Sequence, residues 1–304
     1  MIFGRSAIYF DEVARCGSIR RAAAHLHIAP SAVDRQILQL EEHVGVPLFE
    51  RRQHGLRLTT AGEMLIDAVR RWQRDMKQVK SHIDDLQGLR RGEVSVALVE
   101  GAAELVSQCV AGFHALYPGI AFRMQAAGAQ AVADRVLNDE CELGITFNPA
   151  KNAALKIERK LVYQLGVVVR PDHPLAARRQ VSLATCSKYP LVIPDETISL
   201  RRVLDQLWAR SLGENTPYCA TASSVGLIKS MVLNGMGVGM VTAIDALQEV
   251  RSGQLMFISL DDERIPPSVL CIVSSSGRTL SVPAALLLQH LSQQLAEPVP
   301  SRSP

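Results

Sequence analysis

No stretch of the 304-residue sequence approaches the roughly 18 uninterrupted apolar residues that span a bilayer; the longest candidates are broken by glycine, asparagine or charge. A secretory pattern is missing too. The opening MIFGRSAIYFDEVARCGSI carries charge at nearly every turn, without an apolar core or a small-residue cleavage site. These absences predict a cytoplasmic protein with no membrane attachment. The six cysteines, Cys16, Cys109, Cys141, Cys186, Cys219 and Cys271, include no C-x-x-C pair and no spacing that offers two thiolates to one metal, so buried, reduced thiols are expected. His25 and His27 stand two apart on a helix end and do not face together, which argues against a shared ion. No phosphate loop, Ser/His/Asp constellation or metal triad is present, so no catalytic residue, metal or cofactor is expected.

Charge is scarce overall, a net +3, but uneven. Residues 1–92 hold fifteen Lys and Arg against eleven Asp and Glu, a net +4, while the remainder holds eighteen against nineteen, a net −1. The excess hints at an N-terminal polyanion partner without deciding it. At this length and with 47% hydrophobic residues, two domains with sizeable cores can form.

Three helical patterns occupy the first 45 residues. Ile8, Phe10, Val13 and Ala14 mark the first, ending near Gly17. Ser18 is placed to cap the second, where Ile19, Ala22, Ala23 and Leu26 recur at helical spacing. After a short turn, Pro30 opens the third, and Val33, Ile37 and Leu40 line one face of it. Two short helices with a tight turn between them, the second buried on one side only, make a helix-turn-helix. In FERRQHGLRLTTAGE, Gly55 supplies a turn, and Leu56 and Leu58 alternate with Arg57 and Thr59, which predicts a hairpin wing. Thr60 and Glu63 match a capping box at the start of a long helix. Leu65, Val69, Trp72, Met76, Val79, Ile83 and Leu86 then run at a strict 4-3-4-3-4-3 spacing, the seam of a dimerisation helix, or alternatively a stripe packed on the chain's own domain.

From residue 92 strands alternate with helices, the signature of parallel α/β structure: VSVALV, IAFRMQ, LGITF, LGVVVR, PLVIP, YCATAS and VGMVT. NGMGVGM lies after a helix and before a strand, the reverse of a dinucleotide fingerprint, and reads as tight packing. The tail EPVPSRSP reads as disordered.

These residues resemble the LysR-type transcriptional regulators over essentially the whole chain. The likeness is carried by GSIRRAAAHLHIAPSAVDRQILQLEEHVGVPLFERRQHGLRLTTAGE and, further on, by CELGI, RPDHPLA and VLNGMGVGM. It implies an α/β protein overall: a winged helix-turn-helix DNA-binding domain at 1–62, a linker or dimerisation helix at 63–91, and an effector-binding domain at 92–296 resembling periplasmic solute-binding proteins. Lobe one would take about 92–163 and 266–296, lobe two about 164–265, leaving 297–304 as tail. The implied partners are double-stranded promoter DNA, a small-molecule effector, RNA polymerase, and further copies of the chain, as a homodimer through the linker helix and a homotetramer beyond it. The rival readings are an α/β enzyme and a small-molecule-binding protein without a DNA role; the N-terminal module argues against both.

On a helical wheel of about 100° per residue, Ser31, Ala32 and Arg35 lie opposite Val33, Ile37 and Leu40. Arg35 can pair with a guanine or a phosphate, and Ala32 can touch a thymine methyl. Pro30 begins the helix, Arg20 and Arg21 open the preceding one, and Arg51, Arg52 and His54 belong to the wing; all suit backbone or minor-groove contact. Asp34 departs from the family's more usual serine. It falls on the flank, where it can form an S-x-x-D capping box with Ser31, orient Arg35 or accept from a cytosine amino group.

Ligands of open α/β lobes sit at the carboxyl ends of strands. That places Glu100, Gly101, Ala102, Gly128 and Asn148 of lobe one, and Thr197, Ser199, Ser223, Ser224 and Thr242 of lobe two, at the cleft. Glu100, with Glu104 one turn on and Glu196 opposite, is expected to disfavour a dianionic effector if unpaired, and so to favour a neutral or amine-bearing one. It can instead point to solvent or cap its helix.

Overall fold

The computed structural model describes residues 4–52, 55–86, 92–211, 218–262 and 265–295. His54 and the tail from 296 onward lie outside them, as do the side chains of Arg51, Arg52, Ile83 and Leu86. The chain divides into two compact units, Met1–Ile83 and Asp84–Pro304. Among the described residues no helix is long and apolar enough to cross a membrane.

In the first unit, α1 (Arg5–Cys16), α2 (Ile19–Leu26) and α3 (Pro30–Val44) precede a hairpin of β1 (Phe49–Arg52) and β2 (Gly55–Leu58), and α4 runs Thr60–Leu86. Their shared core holds Phe10, Val13, Ala22, Ala23, Val33, Ile37, Leu40, Leu48, Ile66 and Val69. The phase of α1 differs from its sequence pattern: Ala7 is buried and Ile8 is half exposed, because the helix turns its Ala7, Phe10 and Val13 side inward. Gly17 and Gly45 close α1 and α3 in left-handed geometry, and Pro30 occupies the first turn of α3.

The cap of α4 is Thr59 rather than Thr60: its hydroxyl accepts from the Gly62 N–H at 3.0 Å and donates to the Pro47 carbonyl at 2.8 Å. The helix therefore begins one residue earlier than a Thr60 cap implies, at Thr60 itself. Its apolar seam is divided. Val69 is fully buried in the winged domain's own core, whereas Met76 and Val79 are each 49% exposed.

The second unit contains two sheets. The first has the order β4-β3-β5-β13-β6, built from β3 (Gly92–Leu98), β4 (Ile120–Ala126), β5 (Leu143–Phe147), β6 (Leu155–Tyr163) and β13 (Ser268–Ser275). The second has the order β10-β9-β11-β7-β12-β8, from β7 (Leu165–Val169), β8 (Gln180–Val181), β9 (Leu191–Pro194), β10 (Ala220–Ala222), β11 (Val238–Thr242) and β12 (Met256–Leu260). The chain crosses from the first sheet to the second at Gln164 and returns between β12 and β13. Helices α5 (Ala103–Leu116), α6 (Ala129–Leu137) and α11 (Val282–Gln294) cover the first sheet. Helices α7 (Leu183–Cys186), α8 (Ser199–Ser211), α9 (Val225–Leu233) and α10 (Leu247–Arg251) belong with the second.

This is an N-terminal helix-turn-helix followed by two α/β lobes, each sheet with its own apolar core. The glycine-rich NGMGVGM joins α9 to β11. A Cβ on Gly239 would press on Val232, Ile228 and Val168, so its glycine serves helix-to-strand packing.

Candidate DNA-binding face and effector cleft

On α3, Val33, Ile37 and Leu40 face the core while Ser31, Ala32 and Arg35 are exposed. Arg20, Arg21 and Pro30 are exposed as well. Ser31, Asp34, Arg35, Arg20 and Arg21 make no side-chain hydrogen bond or ion pair among the described residues, so their polar groups are free for a partner. The S-x-x-D capping box does not form: Ala29 is the N-cap, and Ser31 stands at the second helical position, where its hydroxyl cannot reach the first-turn amides as a cap does. Asp34 is half-buried at the flank of the helix. The wing pairs Arg51 with Leu56 and Arg52 with Gly55 in register, which fixes the backbone of both arginines.

Between the two lobes lies a cavity of about 610 Å³, within the usual size range of small-molecule sites. Eight of the ten cleft residues named from sequence line it: Glu100, Gly101, Gly128, Asn148, Thr197, Ser199, Ser223 and Thr242. Ala102 does not: it is the last residue of the short 3₁₀ turn Glu100–Ala102 and is fully buried in the core of lobe one. Ser224 is also absent from the lining, because its hydroxyl caps α9 by accepting from the Leu227 N–H at 3.2 Å. Glu104 faces a separate, smaller cavity beside Gln248 and Arg251.

Two of the lining residues are committed to the scaffold. Asn148, at φ 42°, accepts from the Val269 N–H through Oδ1 at 3.0 Å and ties β5 to β13. Thr197 donates to Asp195 from its amide at 2.9 Å and from its hydroxyl at 2.5 Å, which shapes the loop before α8.

Glu100 has partners, so its carboxylate is not the unpaired charge that its position in the sequence implies. From lobe one it reaches the N-terminus of α9 in lobe two, accepting from Val225 N–H at 3.1 Å and Gly226 N–H at 3.2 Å. It caps a helix, but the helix belongs to the other lobe. The free amides and positive dipole end of α9 would suit an anionic ligand, and the chain fills that place itself.

Among the lining residues that sequence reasoning missed are the polar Asp245, Arg202, Ser268 and Gln130. Asp245 is 7% exposed and closes a capping box with Thr242, accepting from its amide and its hydroxyl, both at 2.7 Å. Burial pushes its carboxyl up to about 6 against the pull of the Thr242 bonds and of Lys229, and the Glu100 charge adds to the rise. The T-x-x-D spacing after VGMVT announced the cap. Its approach to Gly101, where a Cβ would collide with Asp245 Oδ1, had no local signal.

The comparisons agree with this architecture. Residues 5–63 match the model described as the bacterial regulatory helix-turn-helix protein of the lysR family, and residues 87–296 match the LysR substrate binding domain. The HTH-type transcriptional activator CmpR of Synechocystis sp. is 28% identical over 284 residues, 93% of this chain and 92% of the relative. Full-length CbnR, crystallised in complex with its target DNA, superposes with a TM-score of 0.69 at 19% identity, covering 95% of this chain and 99% of that one. The CcmR regulatory domain of Synechocystis PCC6803, in complex with 2-PG, gives a TM-score of 0.58 at 20% identity over 67% of this chain and 98% of that one.

Proposed function

Because the chain belongs to the LysR-type transcriptional regulators, DNA-binding proteins with an effector-binding domain, we propose that α3 reads its operator and that the cleft of the second unit senses a small molecule. The regulator is not an enzyme. The observation that carries the DNA reading is the exposed, unpaired ridge of Ser31, Ala32 and Arg35 opposite the buried face of α3. In this reading Arg35 enters the major groove as the residue that can make a bidentate base contact. Arg20 and Arg21, at the start of α2, together with the wing arginines Arg51 and Arg52 and with His54, contact phosphates or the minor groove. Asp34 sits where it can orient Arg35 or accept from a cytosine amino group.

Relatives support the assignment of roles: CbnR is known in complex with its target DNA, and the CcmR regulatory domain in complex with 2-PG. Two protomers pair through the part of α4 that leaves Met76 and Val79 uncovered. The Glu100 tie defines what the cleft admits. A ligand that reaches the α9 end is neutral or amine-bearing, or else it displaces Glu100.

A gel-shift assay on DNA flanking the protein's own gene tests the proposal. Saturable, sequence-selective binding with a log–log salt slope of several units supports it, because phosphate contacts release counterions. Binding that is indifferent to sequence on every neighbouring promoter overturns it.

A further inference from the structure

Near the junction of α1 and α2, three donors of different chemistry converge. Glu12 and Cys16 stand one turn apart on α1, and His25 comes from the last turn of α2. Cys16 Sγ lies 3.3 Å from Glu12 Oε1 and 3.5 Å from His25 Nδ1, and those two atoms are 2.9 Å apart. Among the described residues this is the one group in which three such ligand atoms gather.

The triangle has the dimensions of a metal face. Zinc bonds of about 2.3 Å to sulfur and about 2.0–2.1 Å to nitrogen or oxygen place tetrahedral ligand atoms roughly 3.3–3.6 Å apart. The sulfur edges fall in that range, and the third edge opens by a few tenths of an ångström through ordinary side-chain rotation. A cation already sits over the face. The Arg15 guanidinium lies 2.6 Å from Glu12 Oε1 and 2.9 Å from His25 Nδ1.

That arrangement leaves His25 Nδ1 in conflict: unprotonated it accepts from Arg15 but cannot donate to Glu12, and protonated it does the reverse. A metal ion removes the conflict by taking the imidazole lone pair, the carboxylate and the thiolate together. Arg15 is 61% exposed and can swing into water.

We propose that Glu12, Cys16 and His25 form a binding site for a zinc-class divalent cation on the winged domain. The mixed sulfur, nitrogen and oxygen set favours a borderline ion over calcium or magnesium, which take oxygen ligands. Water completes the coordination. On binding, Cys16 gives its proton to solvent and the ion takes the thiolate. Glu12 needs no such step, since a carboxylate is already ionised at neutral pH. Gly17 follows Cys16 directly and its carbonyl accepts from Leu56 N–H of the wing at 2.9 Å, so the ion clamps the α1–α2 junction beside the wing.

Cobalt(II) titration of the reduced, full-length protein tests the site. The expected result is a saturable thiolate-to-cobalt charge-transfer band in the near ultraviolet at one equivalent, displaced by zinc. It is lost in both Cys16→Ser and His25→Gln, retained in Cys219→Ser and tightened in Arg15→Ala. Zinc should raise the thermal midpoint of the wild type and not of Cys16→Ser. Circular dichroism of the two ligand variants, matched to wild type, establishes that they are folded. A band that survives in folded Cys16→Ser, or no band in the wild type, overturns the proposal and leaves an Arg15-clamped hydrogen-bond network only.

Discussion

The Glu100 carboxylate of lobe one accepts a hydrogen bond from the Gly226 N–H of lobe two at 3.2 Å, and Val225 N–H completes the pair at 3.1 Å. One side chain thus ties the two lobes across the cleft and occupies the helix end that an anion would otherwise take. Beside it, Gly101 packs so closely on Asp245 that only glycine fits.

Removing the tie should be visible at its donor end. Hydrogen bonds to charged groups contribute about 1.5–3 kcal/mol, so Glu100→Ala should destabilise the effector-binding domain by an amount of that order. Amide exchange at Val225 and Gly226 should accelerate, and small carboxylates should begin to raise the thermal midpoint. Unchanged exchange at both amides would mean that the tie has no energetic weight.

The buried carboxyl of Asp245 sets a pH dependence of definite sign. Its pKa rises from 3.8 to about 6 on folding, so between those values the folded state holds a proton that the unfolded state has released. Its contribution is complete below the unfolded value and is lost as pH rises through about 6. The span amounts to roughly 3 kcal/mol. The difference between wild-type and Asp245→Asn unfolding free energies, measured from pH 4 to 7, should show this slope; parallel curves would refute it.

Arg35 and Arg20 should fail differently on DNA. Arg35→Ala should cost about 1–3 kcal/mol on the operator and flatten the preference at one base pair. Arg20→Ala should weaken all sequences alike and lower the salt slope by about one. Asp34→Ser separates two roles: looser base preference assigns Asp34 to readout, and uniformly tighter binding assigns it to phosphate repulsion. Competition gel shifts over a salt series distinguish these outcomes.

Along α4, Met76→Lys with Val79→Lys should yield monomers in sedimentation with the winged domain still folded, because both side chains are about half exposed. Val69→Lys should unfold that domain instead, since it places a charge in a fully buried position. Dimers that survive the paired lysines would exclude this stretch as the interface.

Local chemistry was enough to define most of the elements. The i, i+4, i+7 spacing of Val33, Ile37 and Leu40 separated the buried from the exposed side of α3, and the alternation around Gly55 defined the wing. Short-range patterns failed where a neighbouring turn competed, as with Thr59 taking the cap assigned to Thr60, and Ala29 the one assigned to Ser31. The heptad spacing of α4 could not say where its own domain's core ends, because Val69 and Met76 look alike to a period and differ only in what packs against them.

By itself the sequence determined the order of the elements, the helix-turn-helix and the strand ends that line the cleft, all consequences of periodicity and chain connectivity, while the division into two α/β lobes was implied by the family resemblance. Tertiary structure alone decided that Glu100 is spent on Gly226, that Asp245 lies buried against Gly101, and that Glu12, Cys16 and His25 meet. Those relations join residues 126, 144 and up to 13 positions apart in the chain. Burial and hydrogen bonding depend on what folding brings into contact, and no local spacing encodes that.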